Sequence, residues 1–129
     1  MHDKIKTVNT QSAPKAILPY SQAVIANGFL FVSGQLPIDA SSGDFVQEGI
    51  EERARTILQN IQAIALSVGS DLNHAVKMKI FLTDIQNFAK VNEVYASFFN
   101  QHLPARTAMQ VAALPKNADI EMEAILLVP

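Results

Sequence analysis

The stretch Ile120–Val128, IEMEAILLV, constrains the fold of this 129-residue chain more than any other segment. Read with the two-residue period of a strand, Ile120, Met122, Ala124, Leu126 and Val128 fall on one face. Ile125 and Leu127 fall on the other, together with Glu121 and Glu123. A strand that is apolar on both faces must be covered on both. Whatever layer packs on one side, something else has to pack on the other.

The rest of the chain supplies cover for one side only. Asn27-Gly28 tolerates the positive φ angles of a tight hairpin turn, and β-favouring runs flank it, predicting strands over 20–26 and 29–34. A short strand at Ile5–Asn9 precedes them. Between Gln47 and Val68 the apolar residues recur at steps of three and four, a helical face ended by Gly69. AVKMKIFL alternates Val76, Met78, Ile80 and Leu82 against Lys77 and Lys79, a strand with one face buried. Thr83 and Asp84 can cap a second helix, whose face carries Ile85, Phe88, Val91, Tyr95, Phe98 and Phe99. ARTAMQVAAL and IEMEAILLV follow as strands around the turn PKNAD. The order predicts one domain, residues 1–129, of α+β class: a mostly antiparallel or mixed sheet with two helices on one face. The bare apolar face then predicts a subunit interface, and hence an oligomer.

Composition narrows the chemistry. Ten Lys and Arg against twelve Asp and Glu give a net charge of -2, which disfavours nucleic acid as a partner. With no cysteine, disulfides, thiolate nucleophiles and thiolate metal sites are all excluded, in keeping with a reducing compartment. MHDKIKTVNT lacks the apolar core of a signal peptide, and no apolar run approaches the ~18 residues that span a bilayer. These features predict a cytoplasmic protein without a membrane partner. The five glycines form neither GxGxxG nor a P-loop, and His2, His74 and His102 lack metal-ligand spacing. Chemistry here is expected to run without metal or bound cofactor.

Against that background Arg106 stands out, an arginine where the chain leaves Pro104 and enters a strand of small and apolar residues. Its planar fork of donors matches a carboxylate in bidentate geometry, so it can serve as a receptor for a small carboxylic acid. Equally, it can form a structural ion pair with Glu121 or Glu123. Those two glutamates share one face of an apolar strand, where each must find a partner, water or an altered protonation state. Asn92 places an amide among Phe88, Tyr95 and Phe99, either bonding backbone in the core or lining a pocket. Tyr20 and Ser33, near the outer ends of the hairpin strands, are further candidates for a cavity wall or for simple packing.

With these residues assembled, the chain resembles the reactive-intermediate deaminase family, the RidA or YjgF-like proteins. PYSQAV, FVSGQLPID, KMKIFLTDIQNFAKVNEVYASFF, PARTAMQVAALP and IEMEAI occur in that family's order and spacing across nearly the whole chain. The resemblance implies a chorismate-mutase-like fold assembled as a homotrimer, with a cleft between each pair of subunits. It implies hydrolysis of enamines and imines such as 2-aminoacrylate and 2-iminobutanoate to 2-oxo acids and ammonia. By the same resemblance Arg106 binds the substrate carboxylate, Glu121 positions water, and Tyr20, Ser33 and Asn92 line the cleft. Two departures stand out. Leu18 replaces a glycine common among relatives and alters the cleft rim, and Ala108 stands where many carry cysteine. A non-catalytic trimeric receptor for 2-oxo acids, or a regulatory module, is the alternative reading. An RNA-cleaving translation inhibitor, a label some relatives carry, fits the acidic balance poorly.

Overall fold

The computed structural model describes residues 4–129, so His2 lies outside the described residues. Six strands, β1 (Ile5–Val8), β2 (Ala23–Ala26), β3 (Phe29–Gln35), β4 (Ala75–Leu82), β5 (Ala105–Gln110) and β6 (Ile120–Leu127), form one sheet. Two helices, α1 (Ile50–Leu66) and α2 (Phe88–Ala96), complete the α+β fold. In space the strands run β1-β2-β3-β6-β4-β5; β4 and β5 are parallel and every other pair is antiparallel. The last strand in sequence is therefore inserted at the centre of the sheet, in keeping with its apolar residues on both faces. Its residues Ile120, Met122, Ala124 and Leu126 are buried against α1, with Ile57, Leu58, Ile61 and Ile64 above them. On the opposite face Ile125 is half-buried and Leu127 is exposed, so the chain does not cover that side as it covers the helical one.

Local chemistry sets the boundaries. Asn27 and Gly28 adopt φ of 53° and 82°, the left-handed pair that a two-residue hairpin between Ala26 and Phe29 requires. The first helix begins at Ile50 instead of Gln47. Upstream residues are committed elsewhere: Val46 N–H donates to the Pro37 carbonyl, and Ile38 bridges Phe45. Asp84 caps as expected, its side chain accepting from Gln86 N–H, but it opens a short 3-10 turn that runs into α2. β5 stops at Gln110, not Leu114, because its partner β4 ends at Leu82 in register with it.

Two bulges correct the simple alternation. Ala75 pairs with Leu126 and Lys77 with Ile125, so Val76 is an extra residue on β4. Val76 is consequently exposed, and Ala75 takes its expected place on the buried face beside Met78, Ile80 and Leu82. On β3, Val32 pairs with Ala124 and Gln35 with Met122, which leaves Ser33-Gly34 as a bulge against β6. No helix among the described residues is long and apolar enough to cross a membrane.

Candidate functional site

β5 is an edge strand, and its register decides where Arg106 points. Arg106 pairs with Met78, which is buried under the helices, so the guanidinium rises from the sheet on the helical side. There α2 presents Phe88, Asn92 and Tyr95, at spacing i, i+4, i+7 and hence one above another on a single face. All three meet the arginine. Its Cζ lies 5.1 Å from the Phe88 ring centroid and 4.9 Å from that of Tyr95. Both fall inside the range of cation–π attraction. Arg106 Nη1 donates to Asn92 Oδ1 at 2.7 Å. Rings and amide fix the plane of the guanidinium while its remaining N–H groups make no hydrogen bond among the described residues. The result is an exposed, oriented fork of donors.

Tyr95 is itself buried and stacks on Phe99 with ring centroids 4.7 Å apart. Its hydroxyl has no hydrogen-bond partner among the described residues. Burial pushes its pKa up to about 12, against the opposing pull of the Arg106 charge. The phenol therefore stays neutral and acts on the arginine through its ring.

Asn92 does not sit in the core among the aromatics, as its spacing suggested; it is exposed, at the lip of the helix face. The ion pair between Arg106 and Glu121 or Glu123 is likewise not formed. β4 lies between β5 and β6, and Glu121 pairs with Phe81, on the sheet face away from the helices. Arg106 and Glu121 thus occupy opposite faces of one sheet.

The second group of residues gathers on the β3–β6 side. Glu121 lies over Gly34 in the β3 bulge: a Cβ built on Gly34 would collide with Oε2 and stand 2.8 Å from Cδ. The missing side chain makes the notch that the carboxylate fills. Half burial there raises the Glu121 pKa above the usual carboxylate range, and the neighbouring Glu123 charge raises it further. Glu123 is held loosely by Lys79, Nζ to Oε1 at 3.9 Å. Ser33, beside Gly34, donates its hydroxyl to the Ser21 carbonyl at 2.6 Å, while its N–H donates to the Gln22 carbonyl. Tyr20 precedes these residues, exposed in the loop into β2; the strand expected to begin with it begins at Ala23. Leu18, two residues earlier, is also exposed.

The histidines are engaged locally. His74 Nδ1 contacts Asp71 Oδ1 at 2.9 Å and His102 Nε2 contacts the Ala75 carbonyl at 2.7 Å. Sequence reasoning assigned Phe88 and Tyr95 to packing alone and gave Gly34 no role. The heptad stripe that carries Asn92 between the two rings was the available signal for the first pair. Gly34 offered no comparable sign, because its importance depends on which strand lies beside β3.

Comparison with known proteins places the chain in a family. A family model described as Endoribonuclease L-PSP matches residues 10–128. The chain is 47% identical over 120 residues to a RutC family protein of Pyrococcus horikoshii, spanning 93% of this chain and 95% of that protein. It is also 47% identical over 120 residues to a 2-iminobutanoate/2-iminopropanoate deaminase of Rattus norvegicus, spanning 93% of this chain and 88% of that protein. The crystal structure of a Rid-family protein of unknown function from Yersinia pestis matches with a TM-score of 0.94 at 44% identity. That match covers 96% of this chain and 99% of the other. The chain belongs to the YjgF/RidA family, whose model carries the description Endoribonuclease L-PSP.

Proposed function

We propose that this protein is a cytoplasmic enamine/imine deaminase, hydrolysing 2-imino acids such as 2-iminobutanoate and 2-iminopropanoate, the imine tautomer of 2-aminoacrylate, to 2-oxo acids and ammonia. One observation carries the reading: a guanidinium oriented by two rings and an amide, with its remaining donors free among the described residues. That is the receptor a small carboxylate needs. The deaminase name of the rat relative supports the choice of substrate.

The working site is intersubunit. Arg106 and Asn92 face the helical side, whereas Glu121, Ser33 and Tyr20 belong to the other group, so one protomer cannot bring both groups to one substrate. A homotrimer that covers the bare sheet face would set the Arg106 group of each protomer against Glu121 of the partner subunit. Each cleft then holds one carboxylate receptor and one water-positioning carboxylate.

Chemistry follows from that pairing. Arg106 grips the substrate carboxylate and fixes the C=N carbon beside a water, converting an encounter into a held geometry. Glu121 takes a proton from the water as its oxygen bonds to the imine carbon, and returns that proton to the nitrogen to give the neutral carbinolamine. The C–N bond then breaks as the hydroxyl proton passes, by way of the same carboxylate, to the departing nitrogen, which leaves as ammonia. The products are the 2-oxo acid and ammonia, with water the only co-reactant. A glutamate whose pKa is raised by burial is better matched to this relay near neutral pH than an ordinary one. An imine of this type already hydrolyses in water, so no metal or cofactor is required of the protein.

The test generates 2-iminobutanoate in place with a threonine dehydratase and follows 2-oxobutanoate. Wild-type protein is expected to accelerate its release, and Arg106→Ala to abolish the acceleration. An unchanged rate in that variant removes Arg106 from the mechanism. Ligand binding without any turnover would favour the receptor reading, and RNA cleavage that survives Arg106→Ala would favour the ribonuclease.

A further inference from the structure

A further recess shares no lining residue with either group. It has a volume of about 350 Å³ and lies between the loop before Tyr20, the turn after β3 and the turn between β5 and β6. Pro14, Ile17 and Ile38 give it an apolar wall, and Lys15 and Lys116 are among its lining residues. No acidic side chain lines it among the described residues. Neither lysine has an ion-pair partner among the described residues. In a chain of net charge -2, two unpaired cations on one apolar recess make a local field of the opposite sign.

The carboxylate between the lining residues Ile38 and Ala40 in sequence is occupied elsewhere. Asp39 accepts from Ser41 N–H at 2.8 Å, Ser41 Oγ at 2.6 Å and Ser42 N–H at 3.1 Å, and those bonds hold its pKa below the usual range. It lines the adjoining acidic recess with Asp44, Glu48 and Glu52, not this one.

The backbone under Lys116 is a second, independent observation. Lys116 and Asn117 are both left-handed, at φ of 57° and 58°. Asparagine tolerates that region; lysine has no local reason to occupy it. The strained turn directs the chain so that Lys116 borders the recess, and strain kept by a residue poorly suited to it points to a use for that residue.

From these features we propose that the recess binds a small dianion, a phosphate monoester carrying an apolar body. A pair of lysines, each a compact point charge, can together match a doubly charged phosphate. The body of the ligand lies on Ile17 and Ile38, where Ile17 is otherwise 74% exposed. Lys15 stands five residues before Tyr20 and Lys116 five before Glu121, so an occupant would tie together the two segments that carry one half of the proposed cleft. The assignment does not depend on the deaminase reading.

Phenyl phosphate is the probe, titrated into the full-length protein and followed by amide chemical shifts. Saturable shifts are expected at Lys15, Ile17, Ile38 and Lys116, weakening at higher salt. Lys15→Gln and Lys116→Gln should each reduce affinity about tenfold, the scale of one charge-assisted contact. Lys116→Gly, which relieves the strained backbone, should fold as stably as wild type and still lose affinity, separating binding from folding. Inorganic phosphate and benzoate, each lacking one half of the ligand, should bind several-fold more weakly. Absence of saturable shifts at these residues, or affinity unchanged by the lysine substitutions, would overturn the proposal. Equal affinity for inorganic phosphate would overturn its apolar component.

Discussion

Arg106 and Glu121 sit on opposite faces of one sheet, and their surroundings are built by different means. The arginine group is local and rigid: an edge strand lifts the guanidinium against a stripe of α2, and two rings and an amide hold its plane. The glutamate group is assembled from distant segments, where a bulge in β3 and the absence of a side chain at Gly34 open a notch that β6 fills with a carboxylate. One half pre-orients a charge toward solvent. The other half raises the proton affinity of a carboxylate by partial burial beside a like charge. A receptor for an anion needs the first treatment, and a proton relay needs the second.

The comparison breaks most sharply at Arg106. Removing a bidentate charge-assisted contact of about 3–5 kcal/mol predicts a loss of about 1,000-fold in kcat/KM for Arg106→Ala in the dehydratase-coupled assay. Glu121→Gln keeps the shape and removes the proton relay; a fall in kcat of about 100-fold is expected, the low end for general acid–base catalysis of so reactive a substrate. Gly34→Ala should mimic it without touching the carboxylate chemically. The colliding atoms are at the flexible end of Glu121, so the side chain swings away and the fold survives. A Gly34→Ala variant with full activity would show that the notch does not position Glu121.

Smaller effects sharpen the two halves. Asn92→Ala removes one hydrogen bond from the guanidinium but leaves its charge, so KM should rise about tenfold with kcat nearly kept. A fall in kcat alone would show that Asn92 acts on the reaction and not on Arg106. Because the Glu121 pKa is raised in the folded protein, the stability this group contributes is fully present below its unfolded value, about 4.3. It is lost as pH rises through the folded value. Melting temperatures of wild type and Glu121→Gln, measured from pH 4 to 8, should therefore diverge in favour of the variant as pH rises. Parallel curves would contradict the burial argument.

How much of this was legible in the sequence follows from what is local. The hairpin at Asn27-Gly28 and the apolar stripe of α1 depend on neighbours in the chain and formed as the residues suggested, while Asp84 caps a 3-10 turn that precedes α2. Val76 and the length of β5 were misplaced because a bulge and a strand end are decided by the partner strand. The same limit governs the site. Arg106 was legible from its chemistry and context as a candidate carboxylate receptor or ion-pair partner. Its separation from Glu121 was not, because chain order cannot reveal that β6 enters between β3 and β4 and leaves the two residues on opposite faces.

The central claim is that each site draws Arg106 and Glu121 from different copies of the chain, and complementation tests it directly. Arg106→Ala and Glu121→Gln protomers, each nearly inactive alone, are unfolded together in equal amounts and refolded into mixed assemblies. Random assortment puts an intact arginine against an intact glutamate in about a quarter of the clefts of a cyclic oligomer, so activity should return to about a quarter of the wild-type value. If both residues served one site from the same protomer, no cleft would be restored, and the mixture would stay as inactive as its parents.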